Sequence, residues 1–350
     1  MAYTKILLLP LSIIYGIITG TRNFLFHIGV LKSKSFTVPV LCVGNITVGG
    51  TGKTPHTELL IAELKKKFRV ACLSRGYKRK TSGFILSDNL STAREIGDEP
   101  AQIKHKYPDI LVACDGNRVR GIEKLLALPE SPEVIILDDA FQHRYVQADK
   151  NIVLMDYNRP VYEDHLLPAG RLRENTSALK RADYIIVTKC PQNLQPIERR
   201  ILSKHLKIKP YQHLFFTTLG YGNICSLDSE NEPVVISKNS TILCITGIAQ
   251  PAPYVEHLKT LTQNIQEIQY PDHHHFSKRD LQNIELVFQK IENPDKYIFT
   301  TEKDAMRLKN CELPPEIRKR IYYIPVIPVF IQDEDLFFNE IIEYVRKNQR

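Results

Sequence analysis

The run Val38-Pro-Val-Leu-Cys-Val-Gly-Asn-Ile-Thr-Val-Gly-Gly-Thr-Gly-Lys-Thr54 decides the fold class. Its first part, Val38–Val43, is apolar and rich in valine, so it reads as a buried strand. Glycines 49, 50 and 52 then let the backbone curl, which turns successive N–H groups toward one point before a helix begins near Pro55. The octet Thr47-Val48-Gly49-Gly50-Thr51-Gly52-Lys53-Thr54 fits G-x-x-x-x-G-K-[ST], with Thr47 standing where the first glycine is usual. In that pattern the loop cradles the phosphates of a nucleoside triphosphate, Lys53 reaches the β- and γ-phosphates, and the Thr54 hydroxyl meets Mg²⁺. ATP and Mg²⁺ are therefore the expected ligands.

Working outward, Val70–Leu73, Val134–Leu137, Ile152–Met155 and Tyr184–Val187 are further short apolar runs that each end at a polar residue. Such runs, separated by helical stretches, mark a parallel sheet covered on both faces, with ligands at the carboxyl ends of its strands. Val134-Ile-Ile-Leu-Asp-Asp139 supplies the matching half of the site, since Asp138 and Asp139 would hold the Mg²⁺ shell. The fold class is thus α/β, a P-loop NTPase-type parallel sheet with helices on both faces. Leu214–Thr218 and Val234–Ile236 flank a polar stretch that reads as a β-hairpin or linker. A second, smaller α/β pattern follows from Ile242. The expected division is an N-terminal helix over residues 1–30, a catalytic domain over 31–220 and a C-terminal domain over 221–350. Residues 310–350 carry no recognisable motif.

With 350 residues, 43% hydrophobic and 25% charged, the chain has an ordinary globular balance and room for two domains. A net charge of +8 points to anionic partners. Aromatic–basic interleaving and a recognisable nucleic-acid-binding module are both missing, so nucleic acid is not expected. The seven cysteines are scattered without a C-x-x-C pair, several in apolar runs, which reads as buried reduced thiols and not a disulfide frame or zinc site. The N-terminus differs from the rest: no Asp or Glu precedes Glu58, and Ile6–Thr19 is almost wholly apolar. That run is shorter than the ~20 residues a spanning helix needs, and Arg22 interrupts its extension. With Arg22, Lys32 and Lys34 beside it, it reads as an anchor on the cytoplasmic face of a membrane; a first helix packed on the domain is the competing reading.

Around the phosphate loop lie Ser74-Arg-Gly-Tyr-Lys-Arg79, Gly97-Asp-Glu-Pro100, Asp115-Gly-Asn-Arg118, Asp138-Asp-Ala-Phe-Gln-His-Arg144, Leu167-Pro-Ala-Gly-Arg-Leu-Arg-Glu174, Tyr270-Pro-Asp-His-His-His275 and Thr301-Glu-Lys-Asp304. Together these resemble the tetraacyldisaccharide 4′-kinase family, the lipid A kinases of Gram-negative bacteria, from the N-terminal helix to Asp304. The resemblance implies transfer of the ATP γ-phosphate to the 4′-hydroxyl of an acylated glucosamine disaccharide 1-phosphate at the cytoplasmic face of the inner membrane, with no obligate protein partner. It implies that Asp98 is the catalytic carboxylate and that His273 pairs with it across the domain cleft, an arrangement suited to deprotonating the attacking hydroxyl. It also places Gln142 and Glu174 near the active centre. Arg75, Arg118 and Arg171 are candidate phosphate binders, because arginine forks onto phosphate oxygens, and Tyr77 accompanies them. At Arg171 the family more often has a smaller or prolyl residue.

The rival reading is a P-loop ATPase switch of the partitioning or metal-insertion kind. Those proteins start the loop with lysine, where this chain has Val48. A membrane-attached, non-catalytic nucleotide-binding scaffold is a third reading, and Asp98 with His273 argues against it.

Overall fold

Strands, most of them parallel, and the helices that pack on them organise the chain into two sheets. The computed structural model describes residues 2–228, 234–272, 274–309 and 311–348, with side chains from Leu7 onward. The strands are β1 (Val40–Asn45), β2 (Val70–Ser74), β3 (Ile85–Leu86), β4 (Leu111–Cys114), β5 (Val134–Asp138), β6 (Lys150–Asp156), β7 (Tyr184–Thr188) and β8 (His213–Tyr221), then β9 (Cys225–Ser226), β10 (Thr241–Thr246), β11 (Asn264–Gln269), β12 (Lys296–Thr300), β13 (Ile321–Tyr323) and β14 (Val326–Phe330). The helices are α1 (Ala2–His27), α2 (Lys53–Leu64), α3 (Ala93–Ile96), α4 (Asp98–Lys106), α5 (Arg118–Leu126), α6 (Pro196–Leu206), α7 (Ala252–Leu261), α8 (Lys278–Lys290), α9 (Glu302–Leu308), α10 (Pro315–Arg318) and α11 (Glu334–Lys347).

Among the described residues the large sheet has nine strands in the order β14-β8-β7-β6-β1-β5-β2-β4-β3. From β8 to β4 the neighbours are parallel, and the two edge strands, β14 and β3, run antiparallel. β1 is central, between β5 and β6, so the loop that leaves its carboxyl end has acidic strand ends on both sides, Asp138 and Asp156. Side chains alternate along β1: Leu41 and Val43 pack with Leu60, Ile61 and Leu64 of α2, while Val40 and Cys42 face the core that holds Ile122 of α5 and Leu202 of α6. The smaller sheet runs β11-β10-β12-β13-β9, parallel except at β9.

Two expectations change here. The hairpin across 214–236 does not form, since β8 pairs with β7 on one side and β14 on the other, and Val234–Ile236 is not a strand. Nor is 221–350 one unit. β14 returns to the large sheet, in register Val326↔Tyr221, and α11 buries Phe337, Phe338, Ile341 and Val345 against the α2 side of that sheet. The second sheet is therefore an excursion between β8 and β14.

α1 lies along the large unit with one face engaged. The Ser12 hydroxyl donates to the Leu166 carbonyl and accepts from the Ala169 N–H, both at 2.9 Å, and the Tyr15 hydroxyl donates to the Arg173 carbonyl at 2.9 Å. A Cβ at Gly16 would stand 2.8 Å from the Leu166 Cδ1 methyl, so a larger residue here would have to push that side chain aside. Leu11, Ile14, Ile17 and Ile18 on the other face are exposed. By length and composition Leu7–His27 could cross a membrane.

Candidate active site

The phosphate loop is shaped by backbone geometry that its sequence permits. Gly49 and Gly52 have φ of 108° and 83°, left-handed values that side chains disfavour. No atom lies within 4 Å of a Cβ placed on Gly49 or Gly50, which leaves open space over the loop for a ligand. The Asn45 amide donates to the Thr51 hydroxyl at 2.9 Å and to the Thr47 hydroxyl at 3.4 Å, giving the unusual first threonine a partner. A second segment clamps the loop: Val48 N–H donates to the Arg171 carbonyl at 2.8 Å, and Arg173 N–H donates to the Ile46 carbonyl at 2.7 Å. On the other flank the Lys189 ammonium donates to the Gly50 carbonyl, to Asp156 and to Gln250 of the smaller unit.

Lys53 opens α2, and its ammonium stands 3.7 Å from Asp139 with the side chain only 15% exposed. Burial lowers its proton affinity, and the Asp139 charge opposes that. Burial pushes the Asp139 carboxyl up, yet Lys53 and Arg173 outweigh it and leave the group below its usual range. The Arg173 guanidinium donates to both Asp139 oxygens, at 3.0 and 3.2 Å.

Asp138 is deeper. Its carboxylate accepts from the Thr57 hydroxyl at 3.1 Å, and burial, then the Asp139 charge, raises it to about 6. Two adjacent carboxylates, one made more basic by burial, suit a hard divalent cation that also takes phosphate oxygens. Among the described residues no group of three His, Cys, Asp or Glu converges into a metal site, so a cation here would need the ligand's own oxygens.

Because the folded Asp138 titrates above its unfolded value, ionising it opposes folding, progressively as pH rises from about 4 to about 6 and fully above that. In cation-free buffer at pH 7.5, Asp138→Asn should therefore stabilise the protein, by no more than about 3 kcal/mol at ~1.4 kcal/mol per unit. It should lose Mg²⁺-dependent turnover at the same time. Melting curves of both proteins at pH 5 and 7.5 measure this; a variant no more stable than the parent at either pH refutes it.

Asp98 begins α4, behind Gly97, whose φ is 97° and whose Cβ would stand 3.1 Å from the Gly76 backbone. That close contact brings the Ser74–Arg79 and Gly97–Pro100 motifs together. The Asp98 carboxylate accepts from Arg307 of α9, Nη2 at 2.5 Å and Nε at 3.2 Å. Arg307, almost fully buried, also donates to Asp304 at 2.6 Å and to the Gly247 carbonyl at 3.2 Å. Glu99–Lys303 at 3.0 Å and the Glu58–Lys106–Glu302 chain, at 2.6 and 3.3 Å, continue the charged seam between the two units.

The structure thus brings the phosphate loop, Lys53, Asp138 and Asp139 together and sets Asp98 at the seam. Arg118 is buried, its guanidinium donating to the Asp115 carbonyl while its Nε finds no partner among the described residues. Gln142 donates to the Asn45 carbonyl at 2.8 Å, beneath the loop. Arg75 and Tyr77 are exposed on the loop after β2. Two expected residues make contacts other than those to a phosphate. Arg171 contributes its carbonyl to the loop while its side chain is exposed, and Arg173 is the residue that reaches Asp139. Glu174 is buried in an ion pair with Arg181, with its other oxygen unpartnered among the described residues. His273 lies outside the described residues. Sequence reading missed Arg173, Lys189 and Arg307; the only available signal was the position of Arg173 within the Leu167–Glu174 motif.

A strand–loop–helix cradle with a buried lysine, and paired carboxylates ending the neighbouring parallel strand, are the parts of a P-loop phosphoryl-transfer protein. Comparison with known proteins narrows the class. The family model Tetraacyldisaccharide-1-P 4′-kinase (LpxK) matches residues 4–345. A tetraacyldisaccharide 4′-kinase of Bacteroides thetaiotaomicron is 49% identical, over 98% of this chain and 94% of its own. One from Flavobacterium johnsoniae is 45% identical, over 98% and 97%. A solved structure of LpxK from Aquifex aeolicus in complex with ATP superposes with a TM-score of 0.76 at 30% identity, covering 97% of this chain and 99% of that one. The chain belongs to the tetraacyldisaccharide-1-P 4′-kinase family.

Proposed function

We infer that this chain is an ATP-dependent tetraacyldisaccharide 4′-kinase, which moves the γ-phosphoryl group of ATP to the 4′-hydroxyl of a tetraacylated glucosamine disaccharide 1-phosphate in lipid A biosynthesis. The observation that carries the reading is the buried Lys53 beside Asp139, with Asp138 beneath, at the mouth of the phosphate loop. Lys53 neutralises charge on the transferring group, and the loop N–H groups hold the neighbouring phosphates. Thr54, Asp138 and Asp139 would hold Mg²⁺, which when bound neutralises the β- and γ-oxygens. Asp98 accepts the proton of the sugar hydroxyl, with His273 as its partner, while Arg75, Arg118 and Tyr77 bind anionic groups of the two substrates. The assay is transfer of radiolabelled γ-phosphate from ATP to the detergent-dispersed disaccharide 1-phosphate. Labelled lipid is expected; ADP release without labelled lipid would support the ATPase-switch reading instead.

α1 is proposed to rest in the cytoplasmic face of the inner membrane by its exposed apolar side. Removing α1 would also remove its bonds to Leu166, Ala169 and Arg173, so a cleaner test leaves the docked face intact. Ile14→Lys with Ile18→Lys places two charges on the outward face. Vesicle binding should weaken roughly tenfold or more, with phosphotransfer to detergent-dispersed lipid retained. Undiminished vesicle sedimentation by the double variant would remove α1 from the membrane contact.

A further inference from the structure

The segment that clamps the phosphate loop also lines a cavity of 720 Å³. Leu9, Ser12 and Ile13 of α1 form one wall, and Leu166 and Leu172 of the clamp contribute another part. Leu206, at the end of α6, adds further apolar surface. The volume falls within the range of pockets that enclose small organic ligands.

The rim of this cavity is basic. Lys180, Lys207 and Lys209 line it and are exposed, as is His205. Among the described residues no carboxylate pairs with any of the three ammonium groups. The acidic residue of the lining, Asp164, is occupied by backbone donors, accepting from the N–H groups of His165 at 2.8 Å and Arg171 at 3.3 Å. Apolar side chains from α1, the clamp and α6, with polar ones such as Asn175 and Gln212 between them, lie beside three cations that no described carboxylate pairs; bounded by a helix whose outer face is apolar, they suit an acyl chain with a phosphate headgroup.

We propose that this cavity binds one acidic glycerophospholipid of the membrane on which α1 rests, its phosphate at Lys180, Lys207 and Lys209 and an acyl chain against Leu9, Ile13 and Leu206. The proposal rests on the reading of α1 as membrane-facing. Lys53, Asp98, Asp138 and Asp139 do not line the cavity, so its occupant is a neighbour of the lipid being phosphorylated and not that lipid. Its contact with Leu166 and Leu172 would steady the clamp whose backbone holds Val48, and whose Arg173 holds Asp139. A filled cavity would therefore favour the ordered phosphate loop, linking membrane attachment to turnover.

The chain has no tryptophan, so Ser177→Trp places a single fluorophore in the cavity wall. The full-length variant is titrated with a short-chain dibrominated phosphatidylglycerol kept below its micelle concentration, and with the matching phosphatidylcholine. No bilayer is present, so failure here is distinct from failure of the membrane reading of α1. Saturable quenching is expected, about ten- to a hundredfold tighter for phosphatidylglycerol, because its phosphate carries the net charge the lysines would meet. Lys180→Glu with Lys207→Glu should abolish that preference and leave phosphotransfer in detergent unchanged. Thr176→Trp serves as a second reporter if Ser177→Trp does not fold. Unsaturable quenching, or equal quenching by both lipids, overturns the proposal. Displacement of the bromolipid by the acceptor disaccharide overturns it too, since the cavity would then belong to the substrate's own acyl chains.

Discussion

Lys53→Ala should lower phosphoryl transfer by ~10²–10³-fold, the range for removing one preorganised electrostatic stabiliser. The loss should fall mainly on kcat, because the loop N–H groups still hold the nucleotide while the charge developing on the transferring group goes unneutralised. The structure gives a reason for an effect at the upper end. The ammonium is largely removed from water, where its charge acts strongly, and Asp139 fixes its position. Without it, Asp139 keeps Arg173 as a cationic neighbour, so the fold should survive and the variant should remain testable. Initial rates with radiolabelled ATP, beside melting curves and nucleotide titrations, make the measurement. A folded Lys53→Ala protein with near-normal turnover would take the phosphate loop out of the mechanism.

The second large effect is expected at Asp98. Asp98→Asn keeps an oxygen for Arg307 but removes the charge that would take the hydroxyl proton, so it separates chemistry from architecture. We expect kcat to fall by ~10²–10⁴-fold, the contribution of a positioned acid or base, with little change in nucleotide affinity. His273→Ala should also lower kcat. If the two act as one unit, Asp98→Asn with His273→Ala should resemble the worse single variant, since groups that work together are not additive. Multiplying losses in the double variant would show independent roles. A fully active Asp98→Asn would move the search for the base to another residue.

How much of this was legible in the sequence depended on whether a residue's role is local. β1, β5, β6 and β7 were readable because strands buried on both faces must be continuous apolar runs, and the phosphate loop because its glycines answer a backbone demand. β14 was not readable. Pro328 counts against a strand, and it is tolerated because β14 is an edge, bonded on one side to β8 alone. Asp98 owes its place to a local detail as well: Gly97 occupies the cap of α4 and Asp98 is its first helical residue. Arg171 and Arg173 lie two apart on a bent segment bridged only at Leu172, where strand alternation does not apply and nothing in the sequence says which of the two side chains faces the loop. Arg307 lay wholly out of reach, because a lone arginine in a short helix acquires meaning only when α9 meets α4.

α1 and α11 both belong to the large unit, and the smaller unit is inserted between two adjacent strands of its sheet, β8 and β14. At that stem Tyr221 is paired with Val326, and the Gly222 N–H donates to the Pro325 carbonyl at 2.9 Å. A single linker would let the smaller unit swivel, whereas a paired stem, together with the ion pairs Asp98–Arg307 and Glu99–Lys303, opposes it. The same arrangement sets an order of assembly during synthesis. The core on the α2 side of the large sheet includes Phe330, Phe337, Ile341 and Val345, so it stays open while the whole smaller unit is being made. The nucleotide-binding half, begun before the smaller unit, can close only after β14 and α11 have followed that unit.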